Sequence, residues 1–62
     1  MNTNQMCQQV FANGKSARAP ATENLPTHTV RWEEGAVICV VPGQVGCEVV
    51  CPIPERDNWY IL

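Results

Sequence analysis

The stretch HTVRWEEGAVICVVPGQVGCEVVC, residues 28–51, decides the fold. It opens on an alternation, with His28, Val30 and Trp32 on one face of a strand and Thr29 and Arg31 on the other. Glu33-Glu34-Gly35 is a turn. Ala36–Val41 is then a continuous apolar run rich in β-branched residues, the pattern of a central strand covered on both faces. Pro42-Gly43 favours a second tight reversal. Beyond it Cys47, Val49, Cys51 and Ile53 alternate with Glu48 and Val50, and Pro52 confines this strand to an edge. Residues 54–58 turn again, and Trp59-Tyr60-Ile61-Leu62 closes as a short strand with an open edge.

Upstream, residues 2–13 read as a short helix. Asn2 or Thr3 caps it, and an Asn2 cap places Gln5 at the capping-box position. Met6, Cys7, Val10 and Phe11 form its apolar stripe, and Gly14 stops it. Such a helix is too short to persist alone and must dock on the sheet. Residues 15–27 hold two prolines and no aromatic side chain, and read as an extended linker. The expected fold is α+β: one domain over 1–62, its N-terminal helix packed on a three- to four-stranded antiparallel β-meander over 28–62.

Three of the four cysteines fall between Cys39 and Cys51. Zinc sites use cysteine pairs separated by two to four residues, within reach of bonds of about 2.3 Å. On a strand, Cys47 and Cys51 share a face but stand about 13 Å apart. A zinc set of Cys39, Cys47, Cys51 and His28 therefore requires 47–51 to be a loop. A hairpin symmetric about Gly43 instead places Cys39 opposite Cys47, within disulfide range. Packing as small hydrophobes is the third reading and the one the spacing favours. No cofactor is expected; zinc belongs to the alternative of a small metal-stabilised β domain with a structural or nucleic-acid-related role.

Composition narrows the function classes. The net charge is −2, with Lys15, Arg18, Arg31 and Arg56 as the only basic side chains, so a phosphate backbone is a poor partner. The second half is the acidic one: Glu33, Glu34, Glu48, Glu55 and Asp57 face only Arg56. Gly14-Lys15-Ser16 matches the end of a phosphate-binding loop, but Gln9 stands where its first glycine is needed. His28 is the only histidine and Ser16 the only serine, which leaves little for nucleophilic catalysis. Residues 1–14 lack a basic start and a long apolar run, so they are not read as a signal peptide, and no segment has membrane length. A cytoplasmic location is the expectation.

What remains is a surface. Trp, Tyr and Arg dominate protein-interface hot spots because large rigid groups bury area at low entropic cost. Trp32, Glu33, Glu34, Asp57, Trp59 and Tyr60 are the candidate protein-binding residues. The competing reading puts Trp59 and Ile61 in the core with Tyr60 on a flank. The expected function is non-enzymatic: an interaction module for a larger protein or complex, of the kind phages and mobile elements use to inhibit a host machine, anti-CRISPR proteins included. A homo-dimer through an edge strand is a second partner expectation.

Overall fold

The computed structural model describes residues 1–62: one helix and five strands in a single antiparallel sheet. Helix α1 spans Thr3–Asn13, and the strands are β1 Ala17–Ala19, β2 His28–Glu33, β3 Ala36–Pro42, β4 Glu48–Cys51 and β5 Tyr60–Ile61. The strand order is β4-β3-β2-β1-β5. Strands β1 to β4 run as a meander, and β5 returns across the molecule to pair with β1.

Local signals account for the helix. Gln5 N–H donates to Asn2 Oδ1 at 2.8 Å while Asn2 N–H donates to Gln5 Oε1 at 3.0 Å, a complete capping box. At the other end Gly14 takes φ +63°, and its N–H closes on the Val10 carbonyl at 2.9 Å. The buried stripe is narrower than the apolar pattern implies. Thr3, Met6 and Val10 are buried, whereas Phe11 stands 62% exposed on the flank.

The β2–β3 hairpin closes in two residues, Glu34 (φ 51°) and Gly35 (φ 86°), flanked by the pair Glu33↔Ala36. Positive φ at both positions is the type I′ geometry that matches strand twist. The β3–β4 turn is centred elsewhere than Pro42-Gly43 suggests. Gly43 N–H donates to the Cys47 carbonyl at 3.0 Å and Pro42 faces Glu48, so the reversal pivots on Val45. Two residues of shift move Cys51, not Cys47, opposite Cys39.

The expected three or four strands are five because the stretch 15–27 is not merely a connector. Ala17–Ala19 lies between β2 and the edge strand β5, second from that edge of the sheet. Its alanines are fully buried beneath the helix. Main-chain pairing on both sides supplies what β-propensity does not. The core under the helix consists of Met6, Val10, Ala17, Ala19, Val30, Cys39 and Trp59. The opposite face carries no layer. Its register row Tyr60, Arg18, Thr29, Val40 and Val50 crosses all five strands. No helix is long and apolar enough to cross a membrane.

Candidate interaction surface

Strand β4 is one edge of the sheet, and the ladder shows which of its backbone groups are free. In an antiparallel pair, opposed residues alternate between exchanging both hydrogen bonds and exchanging none. The Gly43–Cys47 bond makes that pair a bonded one, so Val41↔Val49 and Cys39↔Cys51 are bonded too. Val40↔Val50 and Pro42↔Glu48 are then the unbonded pairs. The N–H and C=O groups of Glu48 and Val50 therefore point away from the sheet. Pro42, which has no N–H, falls at an unbonded position and costs the β3–β4 ladder nothing.

The side chains on this edge are apolar and open. Val50 is 71% exposed and Val49 52%, and Val45 at the turn tip is fully exposed. Cys47 is exposed beside them. Edge strands in soluble proteins are normally guarded by charge or proline. Here Pro52 ends the strand, and Glu48 is the one charge on it. That carboxylate is already engaged: Arg31 Nη2 donates to Glu48 Oε1 at 3.0 Å and Nη1 to Oε2 at 3.5 Å. This link and Glu33 at 3.5 Å raise the Arg31 pKa, the Glu48 bond being the larger cause. The Arg31–Glu48 pair runs diagonally from the Ile38 row to the Pro42 row, above Val40, which is 4% exposed although no helix covers it. The other edge, β5, is only two residues long.

The residues singled out in the sequence do not form one surface. Trp59 is 2% exposed and belongs to the core, its Nε1–H donating to Thr3 Oγ1 at 3.0 Å. The reading of Trp59 and Ile61 as inward and Tyr60 as outward is the one the structure shows: Ile61 packs against the core and Tyr60 is exposed. Trp32, Glu33 and Glu34 cluster at the β2–β3 turn, with Trp32 near the helix C-terminus at Gly14. Asp57 lies at the other end of the sheet, where its carbonyl and that of Trp59 accept from the Met1 amino group. Sequence reasoning missed Val45, Val49 and Val50. The alternation at 47–53 contained the signal, but only a sheet order shows that β4 has no outer neighbour.

The zinc alternative loses its geometry. Residues 48–51 are strand, Cys47 is in the turn, and His28 faces Ala19 on one side while Cys39 faces Val30 and Cys51. No three His, Cys, Asp or Glu side chains converge on a common point. The alternative that set Cys39 opposite Cys47 is corrected too: Cys51 stands opposite Cys39, and both thiols are free, with their Sγ atoms 3.4 Å apart.

His28 has a structural partner instead. Arg56 Nη1 lies 2.9 Å from His28 Nδ1 and donates to the carbonyls of Pro26 at 2.8 Å and Ala19 at 3.4 Å, while Nη2 donates to the Pro20 carbonyl. Because guanidinium only donates, His28 Nδ1 accepts and its proton sits on Nε2. Burial, then the Arg56 charge, lowers the His28 pKa, opposed in part by a backbone hydrogen bond at Pro26. A shallow concavity of about 280 Å³ lies over this region, lined by Thr22, Leu25, Glu55, Arg56, Asp57 and Asn58. Its acidic rim and single hydrophobic residue suit neither an anion nor an apolar ligand.

Comparison with known protein families, with curated proteins and with solved structures finds no match for this chain.

Proposed function

We propose that this chain is a non-enzymatic protein–protein interaction module that takes a strand of a larger protein against the β4 edge. The observation carrying this reading is the conjunction at one edge of outward main-chain groups at Glu48 and Val50 with exposed Val45, Val49 and Val50. In strand addition the main chain supplies affinity and alternate side chains supply specificity. Val49 and Val50 point to opposite faces, so an added strand would be gripped from both sides. The role that accords with a small chain bearing one sticky edge is that of a phage or mobile-element accessory protein inhibiting a host machine, of the anti-CRISPR or a similar host-defence type. A cytoplasmic site of action goes with that role.

The test is a capture experiment from host lysate with immobilised wild-type chain, Val50→Lys, and a Trp32→Ala, Glu33→Gln, Glu34→Gln variant. A single partner retained by wild type and by the hairpin variant, but lost with Val50→Lys at unchanged circular dichroism, supports the β4 edge. The reverse pattern moves the surface to Trp32, Glu33 and Glu34. Sedimentation at rising concentration decides whether a second copy occupies the edge, since a dimer abolished by Val50→Lys would replace the foreign partner.

A further inference from the structure

Cys39 and Cys51 stand opposite each other on β3 and β4 with their Sγ atoms 3.4 Å apart. Theirs is a bonded ladder pair, in which Cα atoms are about 5.5 Å apart, inside the range of roughly 4.4–6.8 Å that a disulfide accepts. Forming an S–S bond of about 2.05 Å asks the two sulfurs to close by roughly 1.4 Å. Rotations about two unbranched side chains and a small movement of an edge strand can supply that. Cys47, in the turn, has no thiol opposite it.

We propose that Cys39 and Cys51 are an oxidation site, closing to a cross-strand disulfide by exchange with a low-molecular-weight disulfide of the glutathione class. Cys51 is the entry thiol, because it is half-buried on the edge strand while Cys39 is 1% exposed. The Cys51 thiolate attacks one sulfur of the small disulfide, forming a mixed disulfide and releasing one small thiolate. Cys39 then gives up its proton and attacks Cys51 Sγ, expelling the second small thiolate. The small disulfide is reduced to two thiols, which take up the two protons the protein loses, and the two cysteines are oxidised to one S–S bond.

The second step is the slow one. Burial, and next the adjacent Cys51, pushes the Cys39 thiol up to about 12, so little thiolate is present near neutrality and closure accelerates with pH. Once formed, the bond ties the exposed edge to the strand behind it and restrains β4 from its buried side. This site stands independently of any partner for the edge.

The experiment equilibrates wild type and Cys47→Ser with reduced and oxidised glutathione at mildly alkaline pH, then reads intact mass and linkage by peptide mapping. The expected result for both is loss of two hydrogens and a Cys39–Cys51 link. It should need a ratio of oxidised to reduced glutathione about tenfold lower than the same chain unfolded in urea, because the fold holds the sulfurs together. A Cys7–Cys39 link, adducts on Cys47 alone, or bridging no easier than in urea would overturn the proposal. Cys39→Ser should stop at a mixed disulfide on Cys51. If Cys51 there stays free while Cys51→Ser collects an adduct on Cys39, the order of attack is wrong.

Discussion

The hairpin half of the molecule, residues 28–51, and the irregular segments 20–27 and 52–58 are held by different physics. In the hairpins the backbone pairs with itself, and side chains are free to be exposed, as Val49 and Val50 are. In the irregular segments the backbone has no ladder, and buried side chains do the pairing. Arg56 satisfies the carbonyls of Ala19, Pro20 and Pro26 together with His28 Nδ1. Thr3 Oγ1 donates to the Pro54 carbonyl at 2.8 Å and accepts from Arg56 N–H at 2.9 Å and Trp59 Nε1–H at 3.0 Å. One hydroxyl thus fills its whole capacity of one donated and two accepted bonds. The lesson is that regular secondary structure and burial are separable here: the most regular edge is the most exposed, and the most buried polar groups serve the least regular chain.

If that contrast is right, breaking the side-chain scaffold should cost far more than altering the hairpins. Arg56→Leu has the largest expected effect, since the carbonyls of Ala19, Pro20 and Pro26 and a buried ring nitrogen lose their donor at once. A loss of about 3 kcal/mol or more in urea denaturation is expected; a loss under 1 kcal/mol would show that water replaces the guanidinium. Thr3→Val keeps shape and deletes the hydroxyl, with about 2 kcal/mol lost and Thr3→Ser recovering most of it.

His28 supplies a pH signature of the same scaffold. Its pKa is lowered in the folded chain, so the unfolded state takes the proton first. Stability is therefore full above the ordinary value of 6.5 and falls as pH drops below it, with a slope of at most about 1.4 kcal/mol per pH unit. His28→Asn, which retains an acceptor, should remove that component of the acid limb in denaturation curves taken from pH 7 to pH 5. An unchanged limb would assign it to the carboxylates instead.

On the hairpin side the expected effects are small and one is favourable. Glu34 sits at φ 51°, where an L-residue other than Asn or Gly is strained. Glu34→Asn should raise stability by about 0.5–1 kcal/mol in the same assay. Val50→Thr, on the open edge, should change it by no more than about 0.5 kcal/mol. A larger loss there would mean that the edge is already covered, by a second copy for instance, and would sharpen the oligomer question directly.

Much of the architecture was legible. The helix could be read because Asn2, Gln5 and Gly14 act within one turn of where they stand. The strands of 28–51 could be read because alternation and glycine turns are local too. Ala17–Ala19 could not, since Ala-Arg-Ala has no strand pattern and becomes one only between β2 and β5. The β4 edge was not legible for the same reason. The aromatics Trp32 and Tyr60 could be named from the sequence, whereas the burial of Trp59 and the openness of Val49 and Val50 depend on neighbours far away in the chain.

By itself, then, the sequence determined the capped helix, the hairpin strands and a net charge of −2. Each of these follows from groups a few residues apart or from a simple sum. Only the tertiary structure decided that β5 crosses to β1, that Arg56 in an ordinary-looking charged turn is the buried tie of two loops, and that Cys39 meets Cys51. Arg56 lies 28 residues from His28 and 36 from Pro20 along the chain. Contacts of that span are set by how the sheet closes and where the β3–β4 turn pivots, and no local preference encodes either.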